Sequence, residues 1–174
     1  FEKLWDNYAQ VNPQAGEIHA LLKQQGEVVV NDHIAFRTIA HPACTLEILA
    51  RPFTSQGYRF VGDYQFEIKK LRARHLDHPA PGYPKIFISE LLLDRVSSSA
   101  RDLLCRLIES SPWNSASGPL CLSGRPWPAI HISEYRHLVE ESEYAAWFAT
   151  MGFRANHFTV SVEALKHFPD LPSL

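Results

Sequence analysis

Two polar-faced strand segments carry residue types that could bind a metal and an acid. The first reads NDHIAFRT over residues 31–38, and the second reads NHFTVSV over residues 156–162. Because alternate residues of a strand face the same way, His33 and Arg37 share one face of the first segment, while His157 opens a polar face of the second. Two imidazoles and a guanidinium on the inward faces of two strands could form a pocket for a divalent cation and a carboxylate.

The metal interpretation needs a third ligand. Two histidines and one carboxylate are the usual ligand set of ferrous oxygenases, because this set leaves coordination positions open. His33 and His157 can supply the nitrogens, and Glu90 is the leading stand-in for the carboxylate, because its apolar neighbours make a lone carboxylate costly. The alternative that we favour for Glu90 is an ion pair with an arginine at the strand end. A structural role is the commoner one for a single histidine, but two at corresponding strand starts make both interpretations about equally favoured.

Arg37 is the candidate for binding an acid. It follows His33 by four residues, which places the two Cα atoms about 13 Å apart along an extended strand. A long guanidinium can reach back across part of that distance and hold the far carboxylate of a ligand whose near end lies on the metal. This geometry fits a dicarboxylic acid. The alternative is a surface arginine paired with a nearby Asp or Glu.

The other histidines give weaker signals. His75 and His78 are three residues apart, which does not fit one strand face, so both are expected in a loop with a small chance of lining the pocket. His131 and His137 are expected at a helix start or on the surface. The sequence contains no serine nucleophile elbow, P-loop or dinucleotide fingerprint.

Apolar spacing and turn residues predict an α+β order of elements. Helices are expected in the first 27 residues, and the order from residue 28 is strand, helix, strand, strand, strand. Pro52 is expected to kink or shorten the helix that Thr45 caps. The predicted strands cover residues 28–39, 58–66, 68–75 and 85–92, and they are followed by a helix near 97–111, a loop over 112–129, a helical region over 133–151 that can be two pieces, and the strand that contains His157.

Composition excludes several classes of protein. The chain has 174 residues, of which 45% are hydrophobic and 21% charged, as in a folded soluble protein. A net charge of −2 gives no basic field for nucleic acid, and no apolar run is long enough to cross a bilayer. Three widely spaced cysteines without a CxxC pair argue against a disulfide framework or a cysteine-based zinc site. We therefore expect neither nucleic acid nor membrane as a partner, and a reducing cytoplasm as the compartment.

Four longer strings resemble the 2-oxoadipate dioxygenase/decarboxylase family, and the resemblance covers nearly the whole chain. The strings are NDHIAFRT over residues 31–38, KIFISELLL over 85–93, SEYAAW over 142–147 and FRANHFTV over 153–160. The resemblance implies a fold related to the vicinal-oxygen-chelate superfamily, with paired βαβββ modules and a curved mixed sheet. It also implies a ferrous site made of two histidines and one glutamate.

The resemblance assigns roles to three residues of this sequence. His33 and His157 match the two histidine ligands, and Arg37 matches the arginine that holds substrate. The family's glutamate lies in the last strand of the second module, so the third ligand is expected beyond Leu174. We expect the chain to be a piece of a longer protein, because the second module is cut off and the first residue is not methionine. The expected division is a single domain with N-terminal helices over 1–27, a first βαβββ module over 28–95, a helical and loop insertion over 96–152, and the start of an incomplete second module over 153–174.

The implied reaction is oxidative decarboxylation of 2-oxoadipate to 2-hydroxyglutarate, with Fe(II) as cofactor, O2 as co-substrate and release of CO2. This reaction is a step of lysine breakdown, and Arg37 would select the diacid by fixing its distal carboxylate. Two alternatives stay open. One is another metal-dependent enzyme on the same scaffold, such as a hydrolase, a lyase or a glyoxalase-like isomerase. The other is a non-catalytic binding module, which the missing carboxylate makes more credible for this chain.

Overall fold

The computed structural model describes residues 1–113, 117–168 and 172. These residues form one five-stranded mixed sheet with helices packed against it. The strands are β1 Asn31–Ile39, β2 Arg59–Phe66, β3 Leu71–Asp77, β4 Lys85–Leu91 and β5 Ala155–Val160. The helices are α1 Glu2–Val11, α2 Pro13–Gln24, α3 Leu46–Thr54, α4 Ser98–Glu109, α5 Ile132–Glu141 and α6 Glu143–Met151, and short 3-10 turns cover Leu93–Arg95, Leu120–Leu122 and Val162–Ala164.

The strand order across the sheet is β2-β3-β4-β1-β5. β1 pairs in parallel with β4 and antiparallel with β5, while β2, β3 and β4 form an antiparallel meander. The predicted order of strand, helix and three strands from β1 to β4 is confirmed. β5 lies on the other side of β1 from β4, so the strand that contains His157 is the direct neighbour of the strand that contains His33.

The two faces of β1 differ in chemistry, as strand alternation requires. Ile34 and Phe36 are fully buried on one face, and the Phe36 ring lies 5.5 Å, centroid to centroid, from Phe53 of α3. Leu46 and Leu49 of the same helix are also fully buried. The opposite face of β1 is left for polar side chains, so packing of α3 fixes which residues of β1 can face a site.

Several predicted boundaries differ from the structure. β1 begins at Asn31 because Val28 and Val30 are exposed and lie before the sheet. β3 begins at Leu71 because residues 67–70 form the hairpin turn, in which Lys70 adopts a φ of 56°. The helical region over 133–151 is two helices, as anticipated.

The structure tests only some of the other expectations drawn from the sequence. Pro52 lies inside α3, which continues to Thr54. Residues 114–116 of the predicted loop, and residues 169–171 and 173–174 of the expected second module, lie outside the described residues. No helix in the described part of the chain is long and apolar enough to cross a membrane.

Glu90 links the sheet to α3. Its side chain is 1% exposed, and its Oε1 accepts a 2.8 Å hydrogen bond from the backbone N–H of Leu46, at the start of α3. Its Oε2 accepts a 2.5 Å hydrogen bond from Nε of Arg72. A carboxylate is favourable at a helix N-terminus, where backbone N–H groups lack partners within the helix. The favoured interpretation of Glu90 as the partner of an arginine is confirmed.

We predict that Glu90→Gln lowers the free energy of unfolding by about 1–3 kcal/mol, because a buried charged hydrogen bond is lost. Glu47→Gln is the matched control, since Glu47 pairs with the same Arg72 from a site that is 47% exposed. Such an exposed pair contributes about 0–1 kcal/mol. Urea denaturation followed by circular dichroism measures both variants, and equal losses would contradict an anchoring role for Glu90.

Candidate metal and acid-binding site

His33 and His157 meet on the polar face of the sheet. They are 124 residues apart in the chain, and their Nε2 atoms are 3.1 Å apart. The two rings are almost perpendicular, with an interplanar angle of 81° and a centroid distance of 5.1 Å. The contact follows from the pairing of β1 with β5, in which His157 lies opposite Ala35. The predicted convergence of the two imidazoles is confirmed, while their role as ligands stays a prediction.

The distance between the two nitrogens fits a shared cation. A nitrogen ligand lies about 2.1 Å from a first-row divalent metal, which puts two such ligands about 3.0 Å apart at a right angle and about 3.4 Å at the tetrahedral angle. The observed 3.1 Å falls between these values. The residues present therefore fit two positions of a metal site.

Neighbouring side chains orient both rings. His33 Nδ1 lies 2.6 Å from Oδ2 of Asp32 and 3.0 Å from Oγ1 of Thr159. Asp32 can accept the Nδ1 proton, which leaves the Nε2 lone pair of His33 directed at the shared position. A carboxylate that accepts the second ring proton is a common outer partner of metal-binding histidines. On the other ring, Nδ1 of His157 lies 2.9 Å from the side-chain Nδ2 of Asn156.

The surroundings keep His157 neutral. Burial lowers its pKa, and the nearby His33 and Arg37 lower that pKa further because each disfavours a second positive charge. A neutral imidazole is the form that binds a metal ion. This half-buried histidine is therefore uncharged at neutral pH, as a metal ligand must be.

Glu90 is not the third ligand, so the stand-in proposed from the sequence is wrong. Its side chain points to the same face as the fully buried Ile86 and Ile88, away from His33 and His157, and both of its oxygens have partners. Within the described residues, no group of three or more His, Cys, Asp or Glu side chains could hold a metal. A glutamate beyond Leu174 stays a prediction.

A cavity of about 400 Å³ adjoins His157 on the same face of the sheet. Its floor is built from β1, β4 and β5, one wall from the turn between β2 and β3, and the other from the junction of α5 and α6. The floor residues are Ala35, Phe36, Arg37, Phe87, Ser89, Asn156 and His157, and the walls are Phe66, Ile68, Lys69, Lys70, Leu71, Glu141, Ser142, Glu143 and Tyr144.

Arg37 lies in this cavity, and no carboxylate of the described residues forms an ion pair with it. Its Cζ atom is 4.9 Å from the ring centroid of Tyr144 and 4.6 Å from that of Trp147. No Asp or Glu oxygen among the described residues lies within 4.0 Å of its nitrogens, so the alternative of a surface arginine with a simple acidic partner is wrong. Burial lowers the pKa of Arg37, while Tyr144 and Glu143 act in the opposite direction. The guanidinium stays charged at neutral pH and can bind an anion.

Tyr144 and Trp147 lie against Arg37, although the sequence analysis named neither as a site residue. The Tyr144 hydroxyl accepts a 3.0 Å hydrogen bond from Thr38 N–H and lies 2.7 Å from the carbonyl oxygen of Ser89. These contacts tie α6 to β1 and β4. The available signal was the spacing of three residues between two large aromatic side chains, which places both on one side of a helix.

The remaining histidines lie outside the cavity lining. His75 belongs to β3 and not to a loop, so that expectation is wrong, and its Nδ1 lies 2.8 Å from the Tyr64 hydroxyl. His78 lies in the loop after β3, as expected. His131 caps the start of α5, and the ring of His137 lies 3.0 Å from the Ser99 hydroxyl.

A five-stranded mixed sheet with helices against it and a cavity on one face has the architecture of the glyoxalase-type fold. A glyoxalase-superfamily protein of Ralstonia eutropha shares this fold, with a TM-score of 0.71 over 85% of this chain and 56% of that chain, at 24% sequence identity. The predicted α+β, vicinal-oxygen-chelate-like fold is confirmed. The family model described as 2-oxoadipate dioxygenase/decarboxylase matches residues 1–111, and the chain belongs to this family.

Similarity to known proteins extends beyond the residues that the family model matches. A 2-oxoadipate dioxygenase/decarboxylase of Arabidopsis thaliana, named chloroplastic, is 34% identical over 173 residues, which cover 91% of this chain and 47% of that protein. The chain thus spans about half the length of the curated relatives it matches.

Two solved structures are also similar. A Shewanella frigidimarina structure, provisionally assigned as a hydrolase, is 43% identical, with a TM-score of 0.91 over 99% of this chain and 67% of that one. The structure of an Oryza sativa hydroxyglutarate synthase in complex with 2-oxoadipate is 32% identical, with a TM-score of 0.87 over 95% of this chain and 57% of that one.

We predict that His33→Ala and His157→Ala each lower the affinity for ferrous iron by at least about 100-fold, because each removes one ligand, whereas loss of an outer partner costs about 10–100-fold. Asp32→Asn should fall within that smaller range. His137→Ala is the control and should bind iron as the unchanged chain does. Anaerobic equilibrium dialysis measures the bound iron, and normal retention by either alanine variant of the pair would show that the ligand assignment is wrong.

Proposed function

We propose that this chain supplies two metal ligands and the acid-binding arginine of an Fe(II)-dependent enzyme. The proposed reaction converts 2-oxoadipate and O2 to 2-hydroxyglutarate and CO2. The observation that carries the proposal is the pair of Nε2 atoms 3.1 Å apart beside a cavity whose arginine has no carboxylate partner in the described part of the chain. Membership of the family and the 2-oxoadipate complex of the rice relative support it.

The residues of this chain would act mainly by positioning. His33 and His157 would hold the metal through Nε2, and Asp32 would keep the proton of His33 on Nδ1. A bound ferrous ion would supply the redox chemistry with O2 that the side chains cannot perform. The third ligand of the site is expected from outside the described residues.

Arg37 would bind the distal carboxylate of the diacid. Along β1 it lies two residues beyond Ala35, the partner of His157, so the acid-binding group and the metal-binding group are offset by about 7 Å of strand. The cavity between them is lined by Ala35 and Phe87, which suit a methylene chain. Lys70, on the wall, is already paired with Glu141 at 2.6 Å, whereas Arg37 has no such carboxylate partner among the described residues.

The wider setting is also part of the proposal. We place the reaction in lysine breakdown, and we propose a cytoplasmic location, although the Arabidopsis relative is named chloroplastic.

A second candidate function is an acid-binding module without catalysis by this chain alone, because its described residues supply two ligands and no third. Metal content and turnover, measured separately, distinguish these two functions.

The catalytic part of the proposal predicts oxygen consumption. The intact gene product, loaded with ferrous iron, should consume one O2 and release one CO2 for each 2-hydroxyglutarate formed from 2-oxoadipate. An oxygen electrode and mass spectrometry of the products measure this ratio. Absence of both oxygen uptake and 2-hydroxyglutarate would reject the dioxygenase, and a product formed without oxygen would favour a hydrolase or a lyase.

The role of Arg37 predicts a selective loss. Arg37→Ala should weaken binding of 2-oxoadipate by about 10–150-fold, because a charged hydrogen bond contributes about 1.5–3 kcal/mol. Binding of 2-oxohexanoate, which lacks the distal carboxylate, should change little, and iron retention should stay normal. Isothermal titration calorimetry and metal analysis test this, and equal losses of metal and diacid would contradict the assigned role.

A further inference from the structure

The aromatic face of α6 lies directly against Arg37. Tyr144 and Trp147 are three residues apart on this helix, so their side chains project to the same side. Their ring centroids lie 4.9 and 4.6 Å from the guanidinium carbon. Arg37 therefore lies beside two rings where an arginine of a folded protein more often meets a carboxylate.

The two rings differ in what else they do. Tyr144 has structural contacts of its own, because its hydroxyl bonds to the backbone of Thr38 and lies near the carbonyl of Ser89. Trp147 is only half-buried at the edge of the core, and its ring faces the guanidinium. A change at Trp147 can therefore alter the surroundings of Arg37 with less effect on the attachment of α6 to the sheet.

Ring contacts and carboxylate contacts have different consequences for a guanidinium. A carboxylate engages the N–H groups at the edge of the plane, so a protein carboxylate on Arg37 would compete with a bound acid for the same donors. A ring attracts the cation through its π face and leaves many of those N–H groups available. The observed arrangement offsets part of the cost of burying Arg37 while preserving its capacity to bind an anion.

We infer that Trp147 is a positioning residue that holds the Arg37 guanidinium in the cavity and thereby increases the affinity for the distal carboxylate of a diacid. The inference rests on the proposed function of Arg37. It assigns to α6, whose first turn contributes to a wall of the cavity, a share in selecting diacids over monoacids. Trp147 itself need not touch the substrate.

The test compares two variants that keep an apolar side chain at this position. Trp147→Phe retains a π face, whereas Trp147→Leu does not, and both reduce the side-chain volume. Calorimetry on the metal-free chain with adipate measures the effect without turnover and without iron. We expect adipate affinity to fall by about 2–30-fold in Trp147→Leu, the range of a cation–π contact, and by less than about threefold in Trp147→Phe.

Two further measurements separate positioning from general damage. In an Arg37→Met background, Trp147→Leu should cause no additional loss, because the two residues act as a coupled pair. Trp5→Leu is the matched control, since the indole of Trp5 stacks on His19 at a centroid distance of 4.0 Å and does not line the cavity. This control should bind adipate as the unchanged chain does, and hexanoate binding should be the same in all variants.

Each outcome distinguishes the two proposals. Equal affinity of the Phe and Leu variants, or an additional loss in the Arg37→Met background, would overturn the role of Trp147 and leave that of Arg37 intact. Normal adipate binding by Arg37→Met, or no adipate binding by the unchanged chain, would overturn the role of Arg37 and this inference together.

Discussion

The register of β1 is the constraint on which the site depends. This central strand pairs with β4 on one side and with β5 on the other, and α3 packs on its apolar face. A shift of one residue would turn His33 and Arg37 into the core and Ile34 and Phe36 into the cavity, since side chains alternate along a strand. The energy of burying those apolar side chains therefore also fixes the direction of the polar ones, without any contact made by the site itself.

Glu90 and Arg37 are two charged residues that lie on opposite faces of the sheet in different surroundings. Glu90 is buried on the α3 side, where a guanidinium and a helix N-terminus satisfy both oxygens. Arg37 is half-buried on the opposite face, where two rings lie against it and no carboxylate oxygen of the described residues comes within 4.0 Å of its nitrogens. A buried charge without an ionic partner lowers stability, and proteins retain such groups mainly at functional sites. The contrast supports a binding role for Arg37 on physical grounds that are independent of the family.

The sequence was sufficient for features that depend on local periodicity. Alternation along one strand put His33 and Arg37 on one face, and the parallel between two strand starts suggested that His157 would join them. It was insufficient where the determining contact crosses between elements. The ring contact of Trp147 with Arg37 depends on how α6 crosses the sheet, which no local pattern encodes. His75 ended the strand predicted over 68–75 but was also expected in a loop because of its spacing from His78, and pairing between β2 and β3 places it in the sheet.

The imidazole pair and Arg37 are positioned by different elements, which has a consequence for how such a site can diverge. The imidazole pair is held by β1 and β5, whereas the surroundings of Arg37 come from α6, an element outside the βαβββ order. Substitutions on α6 can therefore change which acid is bound while the nitrogen pair keeps its geometry. Because a scaffold with a constant metal site and a variable acid site can serve several reactions, the fold alone does not define the substrate. On the proposed function, the residues around Arg37, more than the histidines, would distinguish a diacid-specific member of the scaffold from its relatives.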